Sequence, residues 1–285
     1  MNARTIVRLC PVLIPSLITL SLFLCPLGMS LWQSFHSYSG EFVGLGNYTD
    51  MFSDQRFQDA IVYTLRITLV VLLVTLVSSI ILAMALRRTF IGKKMMLFLL
   101  QYDVAVPSLA CASMMIFLLS QGGFLSAVLN NLGLIGSYTD FPEVFFKSNG
   151  LGVMVSIIWL FVPYITLSLL AVLHSVSNDQ EDQAATLGVG KLKRFFYITL
   201  PTIKPAIAYT SILCFASVFG AFELPSLVGD EHTLVTLAYY YYTNYVGMDG
   251  FMESYSLSVL VTLVSLVVST FFMYYSISLD ERRSE

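Results

Sequence analysis

The chain has 285 residues, of which 56% are hydrophobic and only 12% charged, with a mean hydropathy of +0.77 and a formal net charge of −3. Soluble domains carry roughly a quarter charged residues, so a soluble fold is excluded. The four cysteines, Cys10, Cys25, Cys111 and Cys214, lie in or beside apolar runs with no CxxC pair and no nearby histidine. They read as buried small side chains rather than as disulfides or metal ligands.

In chain order, Arg4 and Arg8 precede an apolar run over residues 9–32, long enough to cross a bilayer core of about 30 Å. No small-x-small cleavage site closes it, and Pro26 and Trp32 stand at its far end, so it reads as an uncleaved first span. A polar, glycine-bearing stretch comes next, over 33–59. Further spans are expected at 60–86, 95–119, 151–173, 205–228 and 255–279. Arg66 lies one to two turns inside the second span, within snorkelling reach of the interface. Gln101, Asp103 and Pro107 interrupt the third, and Trp159 and Pro163 lie inside the fourth. Between the third and fourth, 121–150 reads as a connection holding a short interfacial helix and turn. Between the fifth and sixth, 229–254 carries Tyr239 to Tyr242, expected as an interfacial aromatic belt.

Residues 178–207 are the longest charge-bearing stretch between apolar runs. They read as two short helices with a break. Asn178 is placed to cap the first, with Glu181 three residues on in the capping-box position. Asp179, Glu181 and Asp182 occupy a first turn, where the helix dipole favours negative charge. Gly188 and Gly190 allow the chain to reverse. A basic-aromatic helix over 191–200 is then expected, bounded by Pro201 and Pro205.

Lysine and arginine fix the orientation. Twelve of the 15 fall at Arg4 and Arg8, Arg87 to Lys94, Lys191 to Lys204, and Arg282 and Arg283, all on one side of a six-span topology. Arg56, Arg66 and Lys147 fall toward the other side. Residues 1–8, the 178–204 loop and the 280–285 tail are therefore expected in the cytoplasm.

Within the loop, Asp182-Gln183-Ala184, then Gly188, then Ile198, Leu200 and Pro201 resemble the "EAA" loop of permease subunits of binding-protein-dependent ABC importers. The family pattern is E-A-A, three residues, G, nine residues, I-x-L-P, and the spacing here matches. Asp182 stands in place of the Glu and Gln183 in place of the first Ala. FVGLGNY at 42–48 and the Phe222-Glu223-Leu224-Pro225 region are similar to the family's carbohydrate branch, whereas Leu187-Gly188 departs from that branch's usual Asp-Gly. The resemblance implies an all-α integral membrane protein with the six-helix fold of a type I importer permease over 9–279. It implies a loop that docks on a cytoplasmic ATPase, a second similar or identical permease chain, two ATPase copies and an extracytoplasmic solute-binding protein. No nucleic-acid partner is expected, and lipid surrounds the chain.

No enzyme motif competes with this reading. The Gly188-x-Gly190-Lys191 fragment is not a phosphate loop, since Ala185 and Leu192 occupy positions that need Gly and Ser or Thr. No cofactor is expected, and ATP is used by the partner subunit. His36, His174 and His232 are scattered, and HExxH and GxSxG are absent.

A carboxylate inside a span is costly and reads as functional by default. Asp103 and Glu223 are accordingly candidates to line a translocation cavity. The alternative is an internal hydrogen bond, for Asp103 with Arg66 or with backbone freed by Pro107. Tyr102, Phe219 and Phe222 are of a kind to stack on a sugar ring, against the alternative of plain packing. The substrate reads as a sugar or sugar derivative, with a polyamine, metal or oxyanion as alternatives within the class. The rival class is a proton-coupled secondary transporter using Asp103 and Glu223 as a relay; internal repeats between halves would mark it, and none is seen.

Overall fold

The computed structural model describes residues 3–146, 149–175, 179–228, 232–248 and 250–284. The first helices are α1 (Ala3–Gln33), α2 (Gly46–Ser53), α3 (Gln55–Arg87), α4 (Lys93–Asp103), α5 (Ser108–Leu119) and α6 (Phe124–Asn131). Then come α7 (Leu151–Ser175), α8 (Asp179–Thr186), α9 (Lys191–Arg194), α10 (Leu200–Phe219), α11 (Glu223–Leu227), α12 (Leu234–Asn244) and α13 (Gly250–Ser284). Six helical segments among the described residues are long and apolar enough to cross a membrane: Pro15–Gln33, Gln55–Arg87, Ser108–Asn131, Leu151–His174, Lys191–Phe219 and Gly250–Ser278. All-helical construction is what a bilayer demands, since a helix satisfies its own backbone groups within one segment.

The chain divides into two compact units, Met1–Asp59 with Leu237–Leu263, and Ala60–Thr236 with Val264–Glu285. In the first unit, the phrase FVGLGNY works as a fastener. Gly44 takes a left-handed φ of +59°, which favours glycine. The buried Asn47 then donates from Nδ2 to the carbonyls of Ser34 and His36, both at 2.9 Å. The Tyr48 hydroxyl donates to Ser34 Oγ at 2.8 Å. Tyr241 on α12 is buried and donates to the Asp54 carboxylate. Burial comes first in pushing the Tyr241 phenol up, with the Asp54 bond and charge adding to it. Arg56 lies 5.6 Å over the Tyr240 ring. The four consecutive tyrosines thus divide, with Tyr241 locking α12 to Asp54 while Tyr239, Tyr240 and Tyr242 stay exposed.

In the second unit, α7 is the centre. It packs against α4, α5, α10 and α11, burying Val153, Ile157, Ile165, Leu169 and Leu173 in the apolar core. Ser79 of α3 donates to the Val162 carbonyl at 3.1 Å, next to Pro163 inside the helix. Arg66 donates to the Asn149 carbonyl at 2.9 Å and lies 5.3 Å over the Tyr63 ring, and the alternative pairing with Asp103 is not found among the described residues.

Two expected spans are broken, the third where Pro107 led an interruption to be expected and the fifth where none was expected. The stretch 104–107 separates α4 from α5, because Pro107 has no N–H and instead starts α5 with its own carbonyl, bonded by Cys111 N at 2.9 Å. The expected 205–228 span instead ends at Phe219; residues 220–222 intervene before the five-residue α11. At the other end, Pro201 and Pro205 do not bound a separate helix. A π turn (Phe195–Thr199) joins α9 to α10, with Pro201 in the first turn of α10 and Pro205 inside it.

Candidate functional site

The two breaks meet. Ser108, the first residue of α5, donates its hydroxyl to the Glu223 carboxylate at the start of α11. A cleft of about 240 Å³ opens around the pair, lined by Ser108, Phe161, Ser217, Phe222, Glu223 and neighbouring apolar side chains. A larger one of about 570 Å³ is lined by α7 residues Tyr164, Ser168 and Val172 and by α10 residues Thr202, Tyr209, Thr210 and Leu213, among others. The smaller cleft uses Ile157, Leu160 and Phe161 of α7 and Ser217 of α10, so the two succeed one another along the same helix seam. Hydroxyls recur along both, and Glu223 is the one charged side chain among the described lining residues.

The sequence candidates separate here. Glu223 and Phe222 line the smaller cleft. Phe219 does not; it is 1% exposed and stacks on Phe215 at 5.4 Å with a 12° interplanar angle, a packing role. Tyr102 is exposed and lines neither cleft. Asp103 is buried with no hydrogen-bond partner on Oδ1, and it too lies outside both linings. Ser108 and Ser217 carried no sequence signal, because a lone serine in an apolar run is common.

The 179–204 segment is built differently. Gly188 ends α8 at φ +77°, with its N–H on the Ala185 carbonyl and Val189 N–H on the Ala184 carbonyl, both at 3.0 Å. This is a Schellman turn, and it explains why glycine stands here. Asp182 and Gln183 are exposed and Ala184 is half-buried. Leu187, Leu192, Phe196 and Tyr197 are also exposed, an apolar surface around the turn. Ile198 and Leu200 are half-buried and Pro201 is exposed.

Glu181 has partners that local sequence did not announce. Asn178, its expected capping partner, lies outside the described residues. The Glu181 carboxylate accepts Arg87 Nη1 from the end of α3 at 2.6 Å, and the hydroxyl of Thr199 from the π turn. Arg194 Nη1 donates to the Glu181 carbonyl at 3.2 Å. Burial acts to raise the carboxyl, but the Thr199 and Arg87 hydrogen bonds and the arginine charges outweigh it and hold Glu181 below its ordinary value. Hydrogen bonds to a charged group contribute about 1.5–3 kcal/mol each.

Six helical segments of membrane length among the described residues and a cleft at two helix breaks are the construction of a multi-span membrane protein. The family model described as "Binding-protein-dependent transport system inner membrane component" matches residues 77–283. The chain belongs to that family, the inner-membrane permease subunits of binding-protein-dependent ABC importers. It is 30% identical over 273 residues to the sulfoquinovosyl glycerol transport system permease protein SmoG of Agrobacterium fabrum, covering 92% of this chain and 87% of that one. It is 28% identical over 262 residues to the sn-glycerol-3-phosphate transport system permease protein UgpA of Yersinia pestis, covering 88% and 86%. In fold it resembles a chain of a bacterial ABC transporter involved in the import of the acidic polysaccharide alginate, with a TM-score of 0.76 at 19% identity over 95% of each chain. A second structure, of the alginate transporter in complex with an alginate pentasaccharide-bound periplasmic protein, matches with a TM-score of 0.75 over 95% and 93%.

Proposed function

We propose that this chain forms half of the translocation path of an ATP-driven importer for a small, uncharged, hydroxyl-rich solute of the sugar class. The observation that carries the reading is the α7–α10 seam, whose two successive clefts offer hydroxyls and one carboxylate held by a single serine. A carboxylate accepts two or more hydroxyl donors, the chemistry a polyol supplies. The cargoes named for the relatives, sulfoquinovosyl glycerol, glycerol-3-phosphate and alginate, all carry hydroxyl-rich skeletons and support the class. They also carry anionic groups. A cleft whose one charged lining group is acidic repels anions, which favours an uncharged solute here.

The 178–204 segment faces the cytoplasm by its basic content and docks on an ABC ATPase through the exposed surface around Asp182, Gln183, Leu187, Gly188, Phe196 and Tyr197. A second permease chain and two ATPase copies complete the assembly, and a solute-binding protein delivers cargo to the outer face. ATP binding closes the ATPase pair, the docked segment moves with it, and the spans re-aim the seam. Both termini are cytoplasmic in this arrangement.

The test is purification in mild detergent with Leu187→Cys carrying a short crosslinker. Crosslinking to a P-loop ATPase, together with a co-purifying second permease and uptake of a neutral sugar in vesicles, is expected. Failure to crosslink in an intact complex would sink the docking assignment. Uptake driven by an ion gradient, with this chain the only protein present, would replace the importer by a secondary transporter.

A further inference from the structure

We propose that Glu181, one residue outside the loop's recognised motif, is the positioning residue that carries movement of the docked segment into α3 and α10 together. This rests on the docking reading above.

Among the described residues, few elements hold α8. That helix has eight residues, is released at one end by the Gly188 turn, and packs on α9 and the π turn. An isolated helix of this length is marginal in water, so side-chain ties decide where it sits. The ties converge on one carboxylate. Arg87 comes from the last turn of α3, 94 positions away, and Thr199 lies 18 positions away. Arg194 adds a bond to the Glu181 backbone. Both ends of the Arg87–Glu181 pair are largely shielded, with 10% and 25% of their side chains exposed, so the pair is not a surface contact exchanging freely with water.

The π turn supplies the second half of the device. One extra residue in a helical turn rotates the later part of the helix relative to the earlier part. Here Phe196 and Tyr197 stay exposed while Thr199 is 4% exposed and reaches Glu181. Thr199 is the unspecified position between Ile198 and Leu200 in the loop motif. From Leu200 the chain continues as α10, which lines both clefts, and from Arg87 it continues back as α3, whose Ser79 bonds α7. Glu181 therefore joins the docked helix to α10, one wall of the seam, and to α3, which is bonded to α7, the other wall. Displacement of α8 cannot leave α3 and α10 in place without separating a shielded ion pair and a hydroxyl bond.

The experiment uses the complete importer in proteoliposomes and reads ATP hydrolysed per solute transported. Glu181→Gln keeps size and loses charge; Arg87→Ala removes the partner. Each is expected to raise the ratio roughly tenfold, while the Leu187→Cys crosslink to the ATPase persists. The exchange Glu181→Arg with Arg87→Glu is expected to return the ratio to within about twofold of the parent. An unchanged ratio in the two single variants, with the crosslink present, overturns the proposal and leaves docking intact. Loss of the crosslink in the parent complex overturns the docking reading instead. Should Glu181→Gln fail to assemble, Arg87→Ala and the exchange pair still decide: a ratio raised in the first and unrestored in the second counts against a direct pair.

Discussion

Two glutamates, 42 positions apart, accept a hydroxyl in the same way and are otherwise opposites. Glu181 has a threonine, an arginine and shielding from water; Glu223 has a serine and an open cleft. The first spends its acceptor capacity on structure, as the proposed transmitting part requires. The second lines the cleft with one serine bonded to it, as the proposed solute-binding part requires. A carboxylate's surroundings, more than its presence in an apolar stretch, decide which part it plays.

The largest expected effect comes from breaking the segment that Glu181 anchors. Gly188→Pro forbids the +77° φ and removes the N–H that bonds Ala185. Transport should fall by more than about a hundredfold while membrane insertion persists, as read by uptake and by membrane fractionation. Normal uptake would remove the coupling segment from the mechanism. Next, the aromatic pair flanking the α10 break separates packing from binding. Phe219→Ala should lower stability by about 3–5 kcal/mol, whereas Phe222→Ala should leave the melting temperature close to the parent and weaken solute affinity. Equal losses of stability would erase the distinction between buried and cleft-facing rings.

Glu223→Gln sharpens the other side of the comparison. Affinity for a neutral polyol should weaken roughly tenfold, and inhibition by phosphorylated analogues should strengthen, in competition uptake assays. Unchanged transport of every accepted solute would make Glu223 structural. The smallest effect is on pH dependence. Glu181 is depressed, so its stabilisation is complete above the ordinary carboxylate value and is lost as pH falls through its lower folded-state value. The stability gap between the parent and Glu181→Gln should therefore hold at neutral pH and close only in acid.

Much of the architecture was legible in the chain. Apolar runs near 20 residues or longer, bounded by clustered lysines and arginines, marked six spans, and the loop spacing marked the family. Pro107 announced an interruption in the third span. Two things were not legible. Phe219 and Phe222 are three positions apart, a spacing that puts side chains on one face of an unbroken helix. The break at 220–222 sends one into the core and the other to the cleft. Glu181 fitted a capping box as far as local sequence can tell, and its actual cation lies 94 positions back.

Local sequence was enough to mark where most spans and turns lie. Hydrophobic length marks a span and a glycine marks a left-handed turn, because each depends on a residue and its near neighbours. Which groups each carboxylate meets was decided by packing. Charge is long-ranged and its cost depends on burial and partners, so Arg87 against Glu181 and Ser108 against Glu223 emerge only when elements far apart in the chain are packed together.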